Sequence, residues 1–277
     1  MILLAMLLAL AVERALSPHR DALPWPPLPT ALRGAAWPWI LAIGLAIVVG
    51  ALQAAIDNSW LAMGLAALVL LLCLGPRDLV DDVQRLRAAR SAGDADTVTR
   101  LTRGMQHGPE PDADHRSLLG ALFIQSHERV LAPLLWFVAL GPAGAVLYRI
   151  ASRLPSRIDD PAGAASATTL HAALAWPTQR IAALLFGLAG SLDDALIAWK
   201  RLRAEGQLHP LGDWRTHGWT LLSEAANAAL DWEDGGGGPV VASSLDATLA
   251  EVLRMQLRAL LILLAVVALF TAGIWAA

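Results

Sequence analysis

Trp37 to Ile56 is a stretch of twenty residues without a charge, interrupted only by Gln53 in its apolar character. A helix that crosses a bilayer needs about 20 predominantly apolar residues. That stretch therefore constrains the fold more than any other feature: its backbone must satisfy its own hydrogen bonds, which in lipid means a helix or a closed barrel. No strand alternation accompanies it, so the helix is the expected element. Further apolar runs follow the same logic. Trp60 to Leu74 comes directly after the turn Asp57-Asn58-Ser59, which makes a hairpin with the first run. Leu257 to Ala277 closes the chain, and Met1 to Leu16 opens it and reads as an uncleaved first helix. No basic residue precedes that opening run and Glu13-Arg14 follows its apolar part, which is unlike a signal peptide.

Two other segments are ambiguous. Val130 to Ile150 is long enough to span but contains Gly141-Pro142-Ala143-Gly144. Proline lacks a backbone donor and interrupts helices, so this segment is expected to be broken, either as a re-entrant pair or as two crossings. Arg180 to Leu192 is short, and Trp176-Pro177 places a proline where a first helical turn accepts one. The fold class is thus all-α: a polytopic helical membrane protein, treated as one domain over residues 1–277, with membrane helices at 1–16, 37–56, 60–74, 130–150, 180–192 and 257–277. Polar segments 75–129 and 151–256 lie between them. In the first, helices are expected from Arg77 to Arg90 and from an Asp94 N-cap to Arg103, with a loop at His107–Asp114. In the second, Trp232 to Ser244 holds four consecutive glycines and reads as a mobile loop.

Composition narrows the function. The chain is 56% hydrophobic and 16% charged, with a net charge of −3. No basic face suggests nucleic acid as a partner. One cysteine, Cys73, cannot form an internal disulfide, and the histidines, His171 among them, show no metal-ligand spacing. No metal or cofactor is expected. Arginine sets the orientation. Residues 75–129 carry Arg77, Arg85, Arg87, Arg90, Arg100, Arg103, Arg116 and Arg129, whereas the 56–59 turn carries no basic residue. The arginine-rich segment and residues 14–36 are therefore expected inside, with Met1 outside. An even number of crossings returns 193–256 to the inside; a single crossing by 130–150 puts 151–256 outside. Trp37, Trp39 and Trp60 stand where an interfacial belt would be.

Polar residues beside the apolar runs are the candidate site. Charges at membrane depth are costly and usually functional or paired. Glu13-Arg14, Ser126-His127-Glu128-Arg129, Tyr148-Arg149 and Arg180 are the positions concerned. For each, an ordinary alternative stands: snorkelling at the interface, a charged helix entry, or an anchoring ion pair.

The motifs Leu8–Leu16 (LALAVERAL), Glu128–Tyr148 (ERVLAPLLWFVALGPAGAVLY) with Arg149, and Trp176-Pro177 with Arg180 resemble the AmpE family of inner-membrane proteins linked to β-lactamase induction. More distantly they are similar to the CobD/CbiB cobinamide-phosphate synthases. The resemblance implies a multi-pass protein of the bacterial inner (plasma) membrane, with an accessory or sensory role in cell-wall antibiotic response. It implies a polar ligand on the cytoplasmic face, bound by Glu13, Glu128, Tyr148, Arg149 and Arg180, and a membrane or cytoplasmic protein partner besides the lipid bilayer. Catalysis is not expected, because Ala151-Ser152-Arg153-Leu154 replaces the Asn-Thr-Leu-Asp-type stretch of the synthases. The rival functions are a membrane-bound amide-forming synthase of cobalamin assembly and a transporter working through the broken helix at 141–144.

Overall fold

The computed structural model describes residues 2–16, 34–74, 79–105, 115–208, 214–230 and 245–276. Helix is the only regular structure among them. In chain order the helices are α1 Ile2–Leu16, α2 Trp37–Ala54, α3 Ser59–Cys73, α4 Leu79–Ser91, α5 Ala95–Met105, α6 His115–Ser126, α7 Ala132–Arg153, α8 Pro161–Ala189, α9 Leu192–Ala204, α10 Trp214–Ala229 and α11 Leu245–Ala276. A π turn, His127–Leu131, joins α6 to α7, and a 3-10 turn, Pro155–Arg157, follows α7. The 107–114 and 232–244 loops and the Gly75-Pro76 stop lie outside the described residues.

Local chemistry accounts for several boundaries. The Asn58 side chain accepts hydrogen bonds from the backbone N–H groups of Trp60 and Leu61, which starts α3. Asp94 accepts from the Thr97 backbone N–H at 3.0 Å and starts α5. Asp160 accepts from the Gly163 N–H at 2.8 Å, with Pro161 at the first helical position of α8. The π turn comes just before Pro133, whose ring would clash with the carbonyl four residues earlier and whose missing N–H leaves it unbonded. Widening the helix there relieves both problems.

Four helical stretches are long and apolar enough to cross a membrane: Trp37–Ala54, Leu118–Arg153, Pro161–Ala189 and Ala247–Gly273. Their outward faces are apolar: Ile40 and Ile47 of α2 are 69% and 65% exposed, and Leu269 and Phe270 of α11 are 74% and 72% exposed. Such faces suit lipid rather than water.

Leu118–Arg153, however, is not one straight rod. Gly141 sits at φ 65° and ψ −154°, outside helical geometry. The Tyr148 hydroxyl lies 2.5 Å from Glu128 Oε1. Twenty residues of straight helix would separate those positions by about 30 Å. The chain must therefore double back at Gly141, and a Cβ added at Gly144 would collide with the Trp136 carbonyl and the Leu140 side chain. Residues 128–140 and 142–153 form a helical hairpin. The returning limb, residues 142–153, is about 18 Å long, whereas the outgoing limb continues back through the π turn into α6.

Several sequence expectations change. The chain is already helical from Pro161, so Trp176-Pro177 lies inside α8 and does not open a helix at Arg180. Asp160-Pro161 was the real start signal. The segment 151–256 is thus not uniformly polar, and α11 begins at Leu245 rather than Leu257. Trp37 is packed in protein, at 8% exposure, rather than standing in a lipid-facing belt; Trp60, at 70%, is exposed.

The helices fall into two compact units. The first comprises residues 1–77, 128–178 and 267–277. In it α1 packs on α3, and α2 and α3 pack on α7. A core of Trp37, Ala42, Ile150, Ala151, Leu154, Ala167 and Leu170 joins the start of α2 to the end of α7 and the first half of α8. Polar ties reinforce it: Trp39 Nε1 donates to Ser166 Oγ at 2.9 Å, and the Gly34 N–H donates to Asp160 at 3.0 Å.

The second unit comprises residues 78–127 and 179–266. Here α4, α5 and α6 pack together, and α10 packs on α6 and α9. Phe123 and Phe186 meet edge to face, with centroids 4.9 Å apart. His127, fully buried, meets Trp219 in the same way at 5.6 Å. Arg201 bonds Glu224 at 3.0 Å on the exposed side.

Candidate functional site

The hairpin brings together in the first unit what the sequence holds twenty residues apart. Glu128, in the π turn, is 6% exposed; Tyr148, on the returning limb, is fully buried. Its hydroxyl donates to Glu128 Oε1 at 2.5 Å. His171, from α8, places Nε2 at 3.1 Å from the same oxygen. Since Oε1 already accepts from Tyr148, His171 Nε2 supplies a proton as the second donor. The Tyr148 and His171 rings also meet edge to face at 5.8 Å. Trp136 Nε1 donates to the Leu174 carbonyl at 3.1 Å, one turn beyond His171, and fixes α8 along the outgoing limb.

A buried carboxylate with two donors on one oxygen is strongly localised. Charge-assisted bonds of this kind are short and about twice as strong as neutral ones. Arg149 adds positive charge: it is 4% exposed and within electrostatic range of Glu128, Tyr148 and Cys73. Arg153, one turn further on and half-buried, also feels the charge of Glu128. The set is therefore a carboxylate, a phenol, an imidazole and guanidinium groups held among apolar helices. It can bind a polar ligand or exchange protons with one. No group of three or more histidine, cysteine, aspartate or glutamate side chains suited to a metal occurs among the described residues.

A family profile described as regulatory signalling modulator protein AmpE matches residues 36–274. The chain belongs to the AmpE family. It is a regulatory membrane protein, on that membership and on its membrane-length apolar helices. No curated protein and no solved structure matches it.

In this AmpE-family chain the five residues expected at the site stand as follows. Tyr148 is bonded to Glu128, and Arg149 lies in its electrostatic field. Glu13, half-buried, is near the end of α1 in the same unit. Arg180, half-buried, is in the part of α8 that belongs to the second unit. His171 was missed. It had no ligand-like spacing to any other residue, and its helix was not expected to begin before Arg180. The signal that could have found it was the Asp160-Pro161 cap, which puts His171 in mid-helix.

Proposed function

We propose that this chain is a multi-pass inner-membrane accessory or sensory protein of β-lactamase induction, in which the Glu128–Tyr148–His171 cluster is the ligand-responsive element. The supporting observation is the buried Glu128 carboxylate, gripped by two donors at the base of the helical hairpin. A charged group in an apolar bundle is expensive to keep. Irregular backbone at membrane depth, such as that at Gly141, is tolerated where it faces protein or a wet cavity, as in other ligand-handling membrane proteins. Arg149 belongs to the proposed site, and Glu13 is a further contributor. By the arginine bias, the base of the hairpin faces the cytoplasm, together with the start of α2. The ligand is then a polar cytoplasmic molecule, and the output is read by a membrane or cytoplasmic protein partner.

The test is genetic and direct. The chromosomal copy is replaced by Glu128→Gln, and β-lactamase activity is measured with and without a β-lactam inducer. A changed induction ratio at unchanged protein level supports the reading. An unchanged ratio in Glu128→Gln and also in a full deletion refutes a role in induction. An effect of the deletion alone would retain the regulatory role and remove the cluster from it.

A further inference from the structure

We propose that Arg254 and Arg258 of α11 bind the headgroup of an anionic phospholipid, whose acyl chains lie along the apolar stripe that follows them. The two arginines are one turn apart, so they share a face of the helix. Leu257 and Leu261 lie on that same stripe, at 56% and 55% exposure, and exposed Ala265 continues it. Along the helix the exposed stripe therefore changes from guanidinium to hydrocarbon. No charged side chain follows Arg258 in residues 259–276. As helix that stretch extends about 27 Å, close to the roughly 30 Å thickness of the hydrocarbon core. Arg258 thus stands at the level where lipid chains give way to headgroups. The end of α8 marks the same level. Arg258 Nη1 donates to the carbonyl of Ala189, the last residue of α8, at 3.4 Å, and Leu184 and Leu188 just before it are exposed.

Both guanidiniums are held in place, and that holding is what makes a site of them. Glu251 meets Arg254 through Oε2 at 2.8 Å and Arg258 through Oε1 at 3.3 Å. One carboxylate thus spaces two arginines, with one positive charge in excess. The Glu251 side chain is 26% exposed, against 63% for Arg254 and 54% for Arg258. The carboxylate is the sheltered partner, and the guanidiniums face outwards. The bonds to Glu251 and Ala189 engage Nη2 of Arg254 and Nη1 of Arg258, and a guanidinium presents its remaining N–H groups as a planar fork that matches phosphate oxygens. Asp193 and Asp194 open α9 just beyond Ala189, so no broad basic surface surrounds the pair. A small local excess of charge suits a single headgroup anchored by its own acyl chains on Leu257 and Leu261, and does not suit a soluble polyanion held by charge alone.

The experiment uses the full chain in a non-ionic detergent, titrated with phosphatidylglycerol, with bound lipid counted by native mass spectrometry. Phosphatidylcholine, whose headgroup is neutral overall, is the comparison. Inorganic phosphate, which has no acyl chains, is the competitor. The expected result is preferential retention of phosphatidylglycerol that inorganic phosphate does not displace. Arg254→Gln should weaken that retention about tenfold, and the Arg254→Gln/Arg258→Gln pair should abolish the preference. Arg254→Lys keeps the charge and should keep the preference in part, and Arg100→Gln on α5 should leave it unchanged. Exposed ion pairs contribute little to stability, so Arg254→Gln should melt close to the parent protein without added lipid, which checks that it folds. Equal retention of the two lipids overturns the proposal, as does undiminished retention of phosphatidylglycerol by the paired variant. Displacement of phosphatidylglycerol by inorganic phosphate also overturns it, because the arginines would then take a phosphate without its chains.

Discussion

Gly141→Ala isolates the conformational cost of the hairpin tip. A Cβ at Gly141 would meet nothing within 4 Å, so the substitution adds no clash. What remains is the backbone. At φ 65° and ψ −154° an L residue is strained, and such positions cost about 1–3 kcal/mol. Two other glycines give the contrast. Gly64, on α3, also has nothing within 4 Å of an added Cβ, but its backbone is helical. Gly64→Ala should therefore stabilise by about 0.5–1 kcal/mol. Gly144→Ala should be the most damaging of the three, because the Trp136 carbonyl and Leu140 already occupy the space and neither backbone can yield. The same change thus has three outcomes set by three environments. The assay is unfolding in mixed micelles by increasing SDS, with helix content as the readout. A Gly141→Ala protein as stable as Gly64→Ala would refute the reversal at Gly141. An independent check is a spin-label pair replacing Glu128 and Tyr148 in a Cys73→Ala background. It should report a separation far below the roughly 30 Å of a straight helix.

Two further predictions concern side chains. Tyr148→Phe removes a donor from a buried carboxylate and should cost about 1.5–3 kcal/mol, and a double-mutant cycle with Glu128→Gln should be non-additive; additive unfolding energies would show that the 2.5 Å bond contributes nothing. Asp94 is held below its ordinary value of 3.8 by hydrogen bonds from the Thr97 side chain and backbone. A depressed carboxylate contributes stability that is complete above 3.8 and lost as pH falls through the lowered value. The acid-unfolding limb should accordingly flatten in Asp94→Asn, whose cap does not titrate, and identical limbs in the two proteins would refute this.

The one-dimensional features were legible. Long uncharged runs give α2 and the apolar part of α11, because helix formation in lipid depends on local backbone satisfaction. Caps at Asn58 and Asp94 are short-range chemistry, visible as soon as the residue types are read. Gly141-Pro142 announced a break, and Tyr148, Arg149 and Glu128 stood out as polar residues in apolar surroundings. Pro177 misled, because a proline suited to a first turn is also tolerated within a long helix once its neighbours are packed. The cap that mattered, Asp160-Pro161, was overlooked.

What the sequence by itself determined is therefore the apolar runs, several of the helices built on them and the place where one must break. What only the tertiary structure decided is the angle of that break and its consequence. A kink of a few tens of degrees would leave Glu128 and Tyr148 at opposite ends of a span; the reversal at Gly141 puts them 2.5 Å apart, with His171 of α8 on the same oxygen. The physical reason is one of range. Periodicity and capping act over a few residues, whereas the meeting of residues 128, 148 and 171 depends on how whole helices pack.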